Sequence, residues 1–265
     1  MSKIGAAFAR CREEGRAAFI PYLTAGDPDL RRGEELLHAL VRGGADLIEL
    51  GVPFSDPIAD GPVNQRAATR ALEAGTTLSG ILRMVARTRA DLGVPVVLFT
   101  YFNPIHARGV TRFAEQAASS GVDGVLCVDL PPEEGEQHLA PMLRERDVDL
   151  IYLLSPTSGK RRARRIGEHS SGFVYYVSRT GVTGARERLP RYLLQQAKRL
   201  RRKLELPLAV GFGISTSEQV GQVAAAADGV VVGSALVEQV ERHGADLDLP
   251  TRIEEAVREL RAGIG

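Results

Sequence analysis

The sequence predicts an α/β fold: a single closed (β/α)8 barrel spanning residues 1–265 as one domain. Three observations predict it. Apolar runs of strand length alternate with amphipathic segments of helix length, the alternation repeats eight times, and no linker, low-complexity tract or shift of composition interrupts it. Continuously apolar strands are buried on both faces, which a parallel sheet covered by helices provides. Eight such units in 265 residues suit a closed TIM-type barrel better than an open doubly wound sheet.

In chain order, residues 2–15, "SKIGAAFARCREEG", predict an extra helix ahead of the first strand, across the bottom of the barrel. The strand runs follow as "AFIPYL" (18–23), "LIELGV" (47–52), "VPVVLF" (94–99) and "GVLCVDL" (124–130). The second half adds "LIYLLS" (150–155), "GFVYYVS" (172–178), "LPLAVGFG" (206–213) and "GVVVGS" (229–234). Between them lie segments such as "LRRGEELLHALVRGG" and "LPRYLLQQAKRLRRKLE", with Leu and Ala at three- and four-residue intervals. After the eighth strand, "SALVEQVERHG" (234–244) reads as a short extra helix before the last one, "PTRIEEAVRELR".

Composition narrows the class. Lys and Arg number 34 against 33 Asp and Glu, a net charge of +1, so no bulk field favours nucleic acid or an anionic membrane. The first residues lack the apolar core of a signal peptide, and no apolar run approaches the ~20 residues that span a bilayer. Cys11 and Cys127 have no metal-like spacing and read as reduced thiols of a cytoplasmic protein. The run "GKRRARR" (159–165) reads as a solvated helix face at this net charge.

In this architecture chemistry sits at the C-terminal ends of the strands. Two consecutive strands end in glycine turns, "VGFGIS" (210–215) and "VVGSAL" (231–236), and "GVTG" (181–184) follows the sixth strand. Glycine lets backbone approach a ligand, and a helix N-terminus offers unpaired N–H groups. A matched pair at the seventh and eighth strands predicts a phosphate pocket rather than mere tight turns.

Missing groups exclude several reactions on such a phosphate ester. Lys3, Lys160, Lys198 and Lys203 fall in helical or terminal segments, so no strand-end lysine serves a Schiff base. His38, His138, His169 and His243 fall on outer helices, leaving His106 alone near the mouth without a ligand cluster; no metal is expected. Acid–base work by Glu49, Asp60 and Asp129 remains.

Glu49 lies inside the apolar run "LIELGV", and Asp60 follows on a loop stiffened by Pro53, Pro57 and Pro62. Two readings of Glu49 stand, a structural acid neutralised by an arginine and a proton-exchanging group. Strand alternation sets Ile48 and Leu50 opposite Glu49, so Glu49 faces the interior, where burial raises a carboxyl pKa. Asp60 is expected in a wetter place and ionised, which gives the two carboxylates unlike roles.

The stretch "IELGVPFSDPIADGP" resembles the signature of the tryptophan synthase alpha chain family. So do "PYLTAGDPD", "TYFNPI", "VDLPPEE", "YYVSRTGVTGAR", "GFGIS" and "VVGSALV", in family order across almost the whole chain. Departures are "GPVNQRA" after Asp60 and Tyr22 where many relatives carry phenylalanine. The resemblance implies retro-aldol cleavage of indole-3-glycerol phosphate to indole and glyceraldehyde 3-phosphate. It implies Glu49 as the acid–base group and Asp60 as the anion that accepts the ring N–H. Candidates around the ring are Tyr22, Thr100, Cys127, Leu153 and Phe212. Tyr175 is either a hydrogen-bonding group near the glycerol or a core tyrosine. The phosphate is expected on Gly184, Gly213, Gly233 and Ser234. Loop 179–190 reads as a lid whose Thr183 closes over Asp60.

The same resemblance implies a beta-chain partner carrying pyridoxal phosphate, in an alpha2–beta2 tetramer, with no cofactor in this chain. Pro53, Phe54, Asp56, Pro57, Phe102, Asn103, Pro104 and Pro132 are the expected docking rim, unless this apolar rim is plain rigidity. Two other functions stand beside this one: a free-standing indole-releasing lyase, and a non-catalytic barrel that only activates a beta chain.

Overall fold

A buried strand must pair its backbone N–H and C=O groups with neighbours of the same kind, and nine parallel strands do so here in one nearly closed sheet. The computed structural model describes residues 1–177, 189, 191–211 and 213–265. In chain order the strands are β1 (Ala18–Thr24), β2 (Ile48–Gly51), β3 (Val96–Thr100), β4 (Gly124–Cys127), β5 (Asp149–Ile151), β6 (Leu153–Leu154), β7 (Val174–Val177), β8 (Leu208–Gly211) and β9 (Gly229–Val232). Helix α1 (Lys3–Glu13) precedes them, and α2 (Leu30–Gly43), α3 (Pro62–Glu73), α4 (Leu78–Leu92), α5 (Phe102–Arg108), α6 (Val110–Ser119) and α7 (Pro132–His138) serve the first half. The second half carries α8 (Ala140–Arg144), α9 (Lys160–His169), α10 (Arg191–Arg201), α11 (Ser217–Ala224), α12 (Ser234–His243) and α13 (Leu249–Arg261). Among the described residues, no helix is long and apolar enough to cross a membrane.

The sequence predicts eight strands and the described residues form nine, because the fifth run divides at Tyr152. β5 pairs only with β4 and β6 only with β7, so the chain changes neighbour at that residue. The Tyr152 ring packs where Gly135 of α7 leaves room; a Cβ at Gly135 would lie 1.9 Å from its hydroxyl. The order β5–β4–β3–β2–β1–β9–β8–β7–β6 then runs round the barrel.

Register decides which side chains enter the interior, since residues paired across parallel strands share a face. Tyr22, Glu49, Val97 and Gly124 form one such line. Leu153, Tyr175, Ala209 and Gly229 form another along β6 to β9, the half of the sheet that follows β1 on its other side.

The bottom is closed as expected by α1, which Ser2 caps by accepting from the Gly5 N–H. A Cβ on Gly124 would lie 2.7 Å from Ile4, and one on Gly229 3.0 Å from Phe8. Two strands therefore begin with glycine where α1 inserts its apolar side chains.

Three aspartates lock strand beginnings nearby. Asp46 donates its N–H to the Phe19 carbonyl, and its carboxylate accepts the Phe19 N–H at 2.9 Å. Asp123 treats Val96 in the same way, and Asp228 treats Leu208 so. Each carboxylate also meets an arginine: Arg16 reaches Asp46 at 2.6 Å, Arg89 reaches Asp123 at 3.3 Å and Arg201 reaches Asp228 at 2.9 Å.

Candidate active site

Glu49 stands near the C-terminal end of β2, 1% exposed, with its Oε1 buried and without a hydrogen-bond partner. Among the described residues no lysine or arginine pairs with it, so none of them is the neutralising arginine of the alternative reading. Burial first, and then the Asp60 charge, push its carboxyl from 4.5 to about 8. A group with that pKa is partly protonated near neutrality and able to give or take a proton.

Asp60 arrives from the loop between β2 and α3 and is half-buried. Its Oδ2 accepts a hydrogen bond from the Tyr101 hydroxyl at 2.8 Å. The expected contrast with Glu49 holds in burial, but Asp60 does not keep its ordinary acidity. Desolvation raises its pKa, opposed by the hydrogen bonds of Tyr101 and Asn64. The helix that follows Asp60 is tied to α12: Arg66 and Arg70 of α3 both reach Glu241 of α12, and Arg70 also pairs with buried Asp27.

Tyr22 and Tyr175 enter the interior from β1 and β7. Both fit because glycines face them: a Cβ on Gly51 would lie 2.1 Å from the Tyr22 hydroxyl, and one on Gly211 2.4 Å from that of Tyr175. Burial first raises both phenols; Asp60 and then Glu49 add to it at Tyr22, in the reverse order at Tyr175. Leu153 lies level with Tyr175 and shares its inward face.

Thr100 and Cys127 require correction. Val97 is level with Glu49 and inward, so Phe99 is inward and Thr100 is not. Thr100 and Cys127 are paired with each other on the outward face, while Phe99 pairs with Leu126 on the inward one. Phe99 meets the Tyr22 ring edge-on at 5.7 Å, so Phe99 and Leu126 occupy the wall that sequence reasoning gave to their neighbours. Counting alternation outward from Glu49 needs the register between strands, which the sequence does not print.

Among the phosphate candidates, Gly233 caps α12 directly and no side chain satisfies that helix's first N–H groups. Ser234 opens the helix, half-buried. Gly213 is exposed, with a φ of 45° that disfavours side-chain-bearing residues. It precedes the Thr216 cap of α11 rather than opening the helix itself. Thr183, Gly184 and Phe212, and the lid expected at 179–190 apart from Leu189, lie outside the described residues. Asp129 is engaged locally, accepting from the Phe102 N–H at 2.7 Å and the Cys127 thiol at 3.3 Å. His106 lies exposed on α5 beside Phe102.

The expected rim divides. Asp56 and Asn103 are exposed, and Phe54, Pro57, Phe102 and Pro104 are half-buried. Pro53 and Pro132 are buried, and their expected display to a partner is corrected: each packs inward at the start of its segment. Ile58, which the sequence reading passed over, is 89% exposed on the same loop.

Comparison with known proteins matches residues 8–264 to the family model described as "Tryptophan synthase alpha chain". The tryptophan synthase alpha chain of Geobacter sp. (strain M21) is 54% identical over 248 residues, covering 93% of this chain and 92% of its own. That of Geobacter sulfurreducens (strain ATCC 51573 / DSM 12127 / PCA) is 50% identical over 265 residues, covering 100% of both. Among solved structures, tryptophan synthase subunit alpha from Legionella pneumophila str. Paris superposes with a TM-score of 0.91 at 39% identity, over 100% of this chain and 98% of that one. A tryptophan synthase complex from Pyrococcus furiosus contains a chain similar to this one, with a TM-score of 0.85 and 39% identity over 92% and 98% of the two chains.

Proposed function

The chain belongs to the tryptophan synthase alpha chain family, and from that premise we propose how its own residues carry the family's reaction. That reaction is a carbon–carbon lyase step in tryptophan biosynthesis, the cleavage of indole-3-glycerol phosphate to indole and glyceraldehyde 3-phosphate.

The substrate has no carbonyl next to the bond that breaks, so the indole ring is the electron sink. Glu49, protonated, gives its proton to ring carbon 3, which leaves the ring cationic. The resulting carboxylate then takes the proton of the adjacent side-chain hydroxyl. As that oxygen becomes a carbonyl, the carbon–carbon bond breaks and its electron pair returns to the ring. Indole and the aldehyde leave, and Glu49 ends protonated as it began. Asp60 accepts the ring N–H and stabilises the positive charge, which requires it to be anionic.

Tyr22, Phe99, Leu126 and Leu153 hold the ring, with Phe212 as a further expected contact. Tyr175 reaches the glycerol hydroxyls. The backbone N–H groups at Gly213, Gly233 and Ser234, with Gly184, receive the phosphate at the positive end of α12. Thr183 in the expected lid closes over Asp60. The family reaction needs no cofactor in this chain.

One observation carries the reading: a fully buried carboxyl with an unpartnered oxygen, pushed to about 8 beside a second carboxylate. A structural acid has no use for that arrangement. Indole release from indole-3-glycerol phosphate by the wild-type chain and by Glu49→Gln tests it; a folded variant with near wild-type release ends the assignment.

We further assign a beta-chain partner, which carries the pyridoxal phosphate, to the rim of Phe54, Asp56, Pro57, Phe102, Asn103 and Pro104. Ile58, 89% exposed on the same loop, adds apolar surface beside Phe54 and Pro57 to that rim. Indole release measured with and without a beta chain separates this from the free-standing lyase and from a barrel that only activates its partner.

A further inference from the structure

Residues 53–61 form no helix or strand, yet they must hold the Asp60 carboxylate steady beside Glu49. Most of the loop's hydrogen bonds are its own. Ile58 donates to Asp56, Asp60 donates to Pro57, and Gln65 of α3 donates to the Pro57 and Asp60 carbonyls. These fold the loop on itself and onto α3 without fixing it against the barrel wall. The tie to the wall at the loop's tip is Tyr101, the residue between β3 and α5.

The Tyr101 hydroxyl donates to Asp60 Oδ2 at 2.8 Å and accepts the Ala59 N–H at 3.0 Å. Its ring packs on Phe54 at 5.1 Å between centroids, and the residue is 3% exposed. One side chain thus grips the loop at three successive places: the ring at its start, the backbone amide before the acid, and the acid itself. The Tyr101 bond is made to Oδ2, and Asn64 of α3 also hydrogen-bonds this carboxylate.

We propose that Tyr101 is a positioning residue for the lyase reaction, clamping the 53–61 loop so that Asp60 presents its carboxylate to the substrate ring and stays anionic. This inference rests on the role proposed for Asp60. Its electrostatic part follows from what surrounds the carboxyl. Glu49 from β2, Tyr22 from β1 and Tyr175 from β7 all sense the Asp60 charge, and each is raised by it. Asn64 and Tyr101 are the two that lower the Asp60 pKa by hydrogen bonding. Losing the Tyr101 hydroxyl therefore moves the ionisation of Asp60 to higher pH.

The test is Tyr101→Phe, which keeps the ring against Phe54 and removes only the hydroxyl. For indole-3-glycerol phosphate, kcat should fall roughly ten- to a hundredfold, the range of a lost hydrogen bond to a charged group. KM should change little, because the phosphate anchor lies elsewhere. The acid limb of the kcat profile should move to higher pH. Amide exchange at Ala59, measured without substrate, should quicken as its acceptor disappears.

A purely structural tyrosine gives a different pattern: faster exchange and a lower melting temperature, with kcat per folded molecule and the acid limb unmoved. That result overturns the inference and leaves the lyase assignment standing. A wild-type chain that releases no indole overturns the assignment instead, whatever Ala59 shows.

Discussion

The two ends of the barrel use the same chemical group for opposite purposes. At the bottom, Asp46 is 3% exposed, yet its pKa is lowered: burial raises it, but the Arg16 hydrogen bonds, the Phe19 N–H and the Arg16 charge outweigh that. At the mouth, Glu49 is 1% exposed and has no such partners among the described residues; burial, then the Asp60 charge, raises its pKa to about 8. Burial alone does not decide how a carboxylate behaves. What decides is whether donors surround it: arginines meet the carboxylates at one end, and among the described residues none meets Glu49 at the other.

The largest effect that would break this contrast is loss of the mouth carboxyl. Glu49→Gln should cut indole release by about 10⁴-fold or more, since general acid–base groups contribute roughly 10²–10⁴-fold and this one serves two transfers. Denaturant midpoints should not fall, because an amide replaces an acid that burial disfavours. Asp60→Asn should also reduce kcat severely while keeping its shape.

The reciprocal experiment is at the bottom. Asp46→Asn leaves Arg16 without its buried partner and should lower stability by about 3–5 kcal/mol, read from chemical denaturation. Turnover per folded molecule should remain at the wild-type level. If Asp46→Asn instead reduced kcat with little loss of stability, the division of labour between the ends would be wrong.

A smaller effect sharpens the contrast through pH. Glu49 ionises near 4.5 ordinarily and near 8 in the fold. Between those values the folded chain holds a proton that the unfolded chain has released, so this group's contribution to stability falls as pH rises through the window. The slope should total on the order of a few kcal/mol and be missing from Glu49→Gln. Asp46 has the opposite sign. Its lowered pKa gives stability above 3.8 that is lost as pH falls through the folded value. Denaturation at several pH values, wild type against each variant, separates the two.

The smallest effect tests whether pairing counts without burial. Arg164 and Glu168 pair at 2.7 Å on α9 but are 82% and 51% exposed. Arg164→Ala should leave the denaturation midpoint close to that of the wild type. A loss as large as that of Asp46→Asn would mean that pairing, rather than buried pairing, holds this barrel together.

Much of this was legible from residues alone. The apolar runs located every strand to within a few positions, and Glu49 stood out because an acid inside "LIELGV" has no ordinary reason to be there. Register was not legible. Thr100 and Phe99 are adjacent, and only the shear between β2 and β3 decides which enters the interior. The bottom aspartates had a visible signal that sequence reasoning passed over. "GGADLIEL", "SGVDGVLC" and "AAADGVVV" each place Asp just before a strand, where its carboxylate caps the strand beside it. Tyr101 had no such signal, because a tyrosine after a strand reads equally well as core.

Helix α1 precedes every strand, yet its apolar side chains Ile4 and Phe8 seat against Gly124 and Gly229, far later in the sequence. A ribosome therefore makes the stopper before the vessel. During synthesis β4 offers Ile4 its seat, but the seat of Phe8 against Gly229 is complete only once β9 has emerged. Closing such distant contacts is slow for entropic reasons. A helix made before every strand is thus finished in its seat only when the last strand arrives.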